Sequence, residues 1–311
     1  MIRVLFILSL IFLFSNSSIA QGYEIKIQVK PLTDSTIYLA NYFGAKMYYA
    51  DTAKINKKGL AVFSGTKALK GGKYSIVTPG PKFFEVLIDE DQHFEIITDT
   101  TDLIMNFHVK GSAANQLYYE YVKYINARKV EVSELNQVLI DPDTDSTASK
   151  KASKRVVEIN KEVQEYQSKL VKENPKNWAA IVINMSIAVP ILDAPKNENG
   201  VVTDSLFQYR YYLDHFFDHM PLDDPRIVRT PEFDRKLKDY FTTALLQDPD
   251  TIAKYADRTI QSVTYDPDLF KYIVHFCTYS FETSNIMGMD AAFVHMIENY
   301  YMTGKATWMD S

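Results

Sequence analysis

The stretch NFHVKGSAANQLYYEYVKYI, residues 106–125, changes its periodicity midway. Up to Val109 it continues a pattern of short alternating runs, the signature of half-buried strands. From Ser112 onward Leu117, Tyr121, Tyr124 and Ile125 recur at i, i+4, i+7 and i+8, which is one face of a helix. The chain therefore reads as α+β: an antiparallel β-sandwich over 22–111, then an all-α helical-hairpin domain over 112–304.

Upstream of the switch, Tyr23, Ile25, Ile27 and Val29 fall on one face, and Glu24, Lys26, Gln28 and Lys30 on the other. Similar runs follow at 36–43, 46–55, 60–63, 73–78, 83–88, 94–98 and 106–109. Turn chemistry separates them at Asn56-Lys57-Lys58-Gly59, Lys70-Gly71-Gly72 and Pro79-Gly80-Pro81. Short strands at near-regular spacing predict the sandwich. The polar run Asp89-Glu90-Asp91-Gln92-His93 reads as a solvated hairpin turn.

Downstream, Val156, Ile159, Val163, Tyr166 and Leu170 step by three and four, a seam of about two heptads. The polar segment 141–151 contains Pro142, which cannot continue a helix, so a long αα-hairpin is expected. Its aspartates suggest a calcium loop, but Ser146 and Ala152 stand where such a loop needs Gly and Glu. Thr230-Pro231, Asp248-Pro249 and Asp266-Pro267 each place a capping side chain before a proline, predicting helix starts. Asp290 is expected to cap a last helix reaching about Met302, with Gly304 as its stop. Aromatic residues stud these helices, as in a packed core; an aromatic-lined ligand groove is the other reading.

The ends of the chain carry a different kind of signal. Arg3, an apolar run from Val4 to Phe14, and a small-residue exit ending at Ala20 form a signal peptide over 1–20. The run is too short for a stable membrane span, which takes about 20 residues. No cysteine stands at the cut, so no lipid anchor is indicated. Cleavage would remove Arg3 and leave an acidic, exported protein, periplasmic or in the cell envelope, with no integral membrane segment after the signal. A net charge of −5 over 311 residues argues against nucleic acid as a partner. With 46% hydrophobic and 23% charged residues the chain is not disordered.

Candidate chemistry is sparse. The one cysteine, Cys277, permits no intrachain disulfide, no CxxC pair and no cysteine zinc site. It shares a helix face with Phe270, Val274 and Phe281, so it reads as a buried thiol, and His275 points elsewhere. His215 and His219 lie four apart on an expected helix, beside Asp214 and Asp218, a spacing that lets two imidazoles share a metal. Phe216 stands where a metalloprotease needs Glu, and no third ligand is identifiable. No G-x-S-x-G, P-loop or G-x-G-x-x-G is present. No cofactor is expected. The acceptor-like Asn184-Met185-Ser186 falls inside an expected buried helix.

Two stretches carry a resemblance. DTAKI (51–55), GLAVF (59–63) and GKYSIV (72–77) are similar to the uncharacterised β-rich domain at the N-terminus of many exported thiol:disulfide interchange proteins of the thioredoxin-like class. FETSNIMGMD (281–290), FVH (293–295) and YYMTGKA (300–306) resemble the helical domain that follows it there. In those proteins a thioredoxin-like domain with a CxxC pair comes next and carries the redox chemistry. The resemblance thus implies that 305–311 begins a linker to a domain this chain does not contain, and it transfers no functional residue. The leading expectation is a non-catalytic exported accessory module that recognises or positions a protein or peptide partner for thiol:disulfide exchange. A stand-alone periplasmic protein binding a peptide or small ligand is the alternative, and a metal-dependent hydrolase built on His215 and His219 comes last. Mass spectrometry of the exported protein is expected to find an N-terminus at Gln21; an intact Met1 would refute the signal peptide.

Overall fold

A computed structural model describes residues 22–80 and 82–309; the expected signal peptide lies outside them, as do the last two residues of the expected linker. The alternating runs form strands β1 (Tyr23–Lys30), β2 (Thr36–Phe43), β3 (Lys46–Lys54), β4 (Leu60–Gly65), β5 (Gly72–Thr78), β6 (Lys82–Ile88), β7 (His93–Asp99) and β8 (His108–Lys110). Two four-stranded sheets result, ordered β4-β1-β7-β8 and β3-β2-β5-β6. One pairing departs from the antiparallel expectation: β1 and β7 run parallel, from Glu24 opposite His93 to Lys30 opposite Asp99. The whole second sheet intervenes between them in sequence, and a connection that long is what a parallel pair requires. Ile25, Ile27 and Val29 meet Ile37, Leu39, Ile76, Phe84, Val86, Phe94 and Ile96 in the core, all buried.

The helical part comprises α1 (Ala113–Ile140), α2 (Ser146–Glu173), α3 (Trp178–Asn184), α4 (Phe207–Asp214), α5 (Pro231–Asp239), α6 (Pro249–Gln261), α7 (Pro267–Glu282) and α8 (Met289–Met296). Thr230, Asp248 and Asp266 cap α5, α6 and α7 as expected, each with proline in the first turn. Asp290 does not cap: α8 begins one residue before it, behind Gly288 at φ 85°. Helices α5 and α8 each run on into a π-helical segment, Tyr240–Ala244 and Ile297–Tyr301. The hairpin α1/α2 is present, each arm about 42 Å long at 1.5 Å per residue. Asp145 opens its second arm by accepting from the Thr147 and Ala148 amides. The seam buries Ile159 and Leu170, while Val156, Val163 and Tyr166 are half-buried. Farther out, charge joins the arms: Arg155 of α2 reaches Glu131 of α1 at 2.8 Å and Glu162 at 2.6 Å.

Helices cover the outer face of the second sheet over β5, which is buried on both faces except at Val77. Asn115, in the first turn of α1, treats the edge strand β6 as a neighbouring strand would. Its Oδ1 accepts from the Leu87 amide (2.8 Å) and its Nδ2 donates to the Leu87 carbonyl (2.7 Å). Tyr119 donates to the Glu85 carbonyl at 2.8 Å. The β2–β3 turn sits against α7, and a Cβ at Gly44 (φ 57°) would overlap the Tyr272 ring. The polar turn at 89–93 is more than solvated: Asp89 pairs with Arg226 at 2.5 Å, and Gln92 is buried, bonded to the Leu69 backbone. One continuous set of buried apolar residues runs from the sandwich into the helices.

At this junction lies Lys73, 3% exposed, on β5. Its ammonium is 3.2 Å from Glu85 of β6 and 2.5 Å from Glu232 of α5. Tyr118 of α1 donates to Glu85 at 2.7 Å. Burial works against the lysine charge, yet the two carboxylates outweigh it and hold its pKa above the ordinary value of 10.5. Lys73→Met would leave two carboxylates without their cation and is expected to cost about 3–5 kcal/mol in urea unfolding at pH 7. Adding Glu85→Gln and Glu232→Gln should recover part of that loss. Since folding raises this pKa, the lysine's contribution is complete below pH 10.5 and is lost as pH climbs through the raised value. The gap between wild type and Lys73→Met should therefore close only in strong alkali.

Candidate functional site

The only cysteine sits in the middle of α7 and is fully buried. Loss of solvent pushes its thiol pKa well up, and Asp257 adds to the effect. A thiolate is what attacks a disulfide, so this sulfur is inert in the folded chain. His275, two positions away, is exposed on another side of the helix, and no Cys–His pair forms.

His215 and His219 do not share a helix face, because the expected helix ends early. Helix α4 stops at Asp214, His215 is its C-cap, and turns carry the chain through His219. The break lets Phe216 and Met220 bury and puts Phe216 and Phe217 against the Tyr240 ring, at 4.7 and 4.8 Å between centroids. His215 Nδ1 turns to Asp218 at 2.6 Å, whereas His219 Nδ1 donates to the Ile187 carbonyl at 2.9 Å. Asp218 and His219 line a small cleft of about 150 Å³ with Val171, Ile181 and Asn184. Among the described residues no group of three or more His, Cys, Asp or Glu is placed to hold a metal ion. The hydrolase reading loses the single helix on which it rested.

A larger concavity, about 520 Å³, opens on the helical side. Asp250, Lys254, Asp257, Arg258 and Gln261 face it from α6, and His295 faces it from α8. Their spacing of four, three, one and three is the solvent face of one helix. Asp257 is held at both oxygens: His295 Nε2 donates to one at 3.0 Å and the Tyr300 hydroxyl to the other at 2.6 Å. Burial first, then Asp257, pushes the Tyr300 hydroxyl well above its ordinary range, so it stays protonated and donates. Asn299 Nδ2 lies 3.2 Å from His295 Nδ1, which fixes the Nε2–H form of the ring. Lys254 has no ion-pair or hydrogen-bond partner among the described residues, and Arg258 lies 3.7 Å from Asp214. Asp257, His295 and Tyr300 were not singled out from sequence, and the one available signal was the polar stripe along α6.

Residues 23–118 match the family described as Domain of unknown function (DUF4369). The match ends inside α1 at Tyr118, so it takes in all eight strands and Asn115, and stops one residue before Tyr119. No curated protein and no solved structure matches the chain. Among the described residues, no helix is long and apolar enough to cross a membrane.

The buried thiol gives a direct check. Ellman's reagent is expected to leave Cys277 unmodified in the native protein and to titrate one thiol per chain in concentrated guanidinium chloride. Rapid stoichiometric reaction under native conditions would contradict the buried position.

Proposed function

We propose that this chain is a non-catalytic exported accessory module, which recognises or positions a partner for a thioredoxin-like thiol:disulfide exchange reaction. The observation that carries this reading is the state of Cys277: the chain's only sulfur nucleophile is buried and protonated. In a thiol-exchange setting, what such a chain can offer is binding and orientation. The setting itself comes from the resemblance of both halves to accessory domains of thiol:disulfide interchange proteins. The match to a domain of unknown function covers 23–118, the β half, and leaves its activity open.

A stand-alone protein that binds a peptide or small ligand is the second reading. The concavity around Lys254, Asp257 and His295 favours it, being open, polar and supplied with uncommitted charge. The two readings separate in one assay. The purified chain should show no insulin reduction on its own. Fused to a thioredoxin-like domain, it should lower KM for a disulfide-bearing polypeptide severalfold while leaving kcat unchanged. Turnover by the chain alone would sink the non-catalytic claim, and an unchanged KM would favour the stand-alone reading.

A further inference from the structure

Strand β3 is the free edge of its sheet, paired only with β2. Among the described residues no backbone hydrogen bond joins Lys46–Lys54 to any element besides β2. The far end of this edge is closed locally, since the Thr52 amide donates to Asp51 Oδ1 at 2.7 Å. The register slips between Leu39 and Ala40, which leaves Ala50 as an extra residue and interrupts the edge there. What remains open is Lys46 to Ala50. Its side chains are unusual for a defended edge: Met47, Tyr48 and Tyr49 are 45%, 51% and 70% exposed. Tyr49 lies on the outer face of the sheet beside Tyr38, with ring centroids 4.8 Å apart, and Met47 lies opposite Tyr42 on that same face.

Charge selects the occupant. Lys46 and Lys54 stand at the two ends of this strand, and neither has an ion pair among the described residues. The one acid in the segment, Asp51, is committed to the Tyr23 hydroxyl at 2.8 Å and to the Thr52 amide. With two lysines and one aspartate, Lys46–Lys54 carries a net charge of +1 in a chain whose net charge is −5. A second copy pairing antiparallel over Lys46–Ala50 would set Lys46 opposite Ala50 and bring no acid to the lysines. A lipid surface would leave the edge amides and carbonyls unsatisfied.

We infer that the Lys46–Ala50 edge binds an extended, acidic polypeptide segment by strand addition, with apolar side chains of that segment resting on Met47, Tyr49 and Tyr38. This deepens the recognition role proposed above and rests on it for its biological setting, but its physical basis is independent. Main-chain pairing supplies affinity, and the lysines supply selectivity and a salt-dependent association rate.

The test is fluorescence anisotropy with a labelled ten-residue peptide alternating Glu with Val and Tyr. Two controls accompany it: the same peptide with Lys for Glu, and the acidic peptide N-methylated at alternate amides. The acidic peptide should bind about tenfold or more tighter than either control, and more weakly as salt rises. Lys46→Glu with Lys54→Glu should weaken binding about tenfold, while Lys172→Glu on remote α2 should not change it. Hydrogen exchange on the unaltered protein should show the Met47–Ala50 amides slowed by the acidic peptide, a readout that needs no variant to fold. Equal binding of acidic and basic peptides, indifference to N-methylation, or no added protection at these amides would overturn the proposal. So would sedimentation showing a dimer lost in Tyr49→Ala, or binding to phosphatidylglycerol vesicles in place of the peptide. Peptide binding without a KM effect in the thioredoxin fusion would keep the edge and remove the thiol-exchange setting. The reverse result would remove the edge and keep the setting.

Discussion

A buried lysine between two carboxylates is the constraint around which the two halves of this protein are arranged. Lys73, Glu85 and Glu232 come from β5, β6 and α5, and each alone would be a severe cost in that position. Pairing the lysine with both carboxylates requires that α5 lie at one height over the sheet, which fixes the helical layer against the sandwich. Neighbouring contacts then follow from that placement. Trp178 faces the Gly72 carbonyl at 3.4 Å, Arg226 stacks over Trp178 at 4.3 Å while reaching Asp89, and Arg229 together with Lys70 holds Asp268. Asp268 responds to those cations: burial tends to raise its pKa, but Lys70 and Arg229 pull it below the ordinary carboxylate value. A depressed carboxylate stabilises the fold above its unfolded pKa and ceases to do so in acid. The junction is thus bounded by acid at Asp268 and by strong alkali at Lys73.

Much of the architecture was legible from residues alone, because local signals and tertiary demands agree. Period-two runs such as Tyr23 to Lys30 became strands, and Thr230, Asp248 and Asp266 became caps. The parts that were not legible depend on what comes to lie on top of an element. Lys73, in the alternation Lys-Tyr-Ser-Ile-Val, reads as a solvent-facing residue, and only the helical layer folded over β5 makes it buried. The parallel pairing of β1 with β7 leaves no mark on either strand. The end of α4 at Asp214 was hidden because Phe216 and Phe217 satisfy a helical pattern, while the core claims them through a turn.

The candidate sites divide along the same line. Cys277 could be placed in the core from its helix face, since burial follows from periodicity. The Asp257, His295 and Tyr300 cluster could not, because Asp257 lies 38 and 43 residues from the other two, on a different helix. His215 and His219 show the converse error, in which a short motif is present but the backbone does not hold it on one face. Spacing has chemical meaning only while the helix that converts it into geometry persists.

The clasp of Asn115 and Tyr119 on β6 has a consequence for how this protein is divided. The last strand ends at Lys110, yet the edge of the second sheet is closed by side chains that follow it. The second sheet is therefore completed at this edge only by the first turns of α1, and a cut in front of that helix would reopen β6. Beyond those turns the same helix becomes one arm of the hairpin. A single rod serves two owners, gearing any swing of the hairpin's far end to the rim of the sandwich.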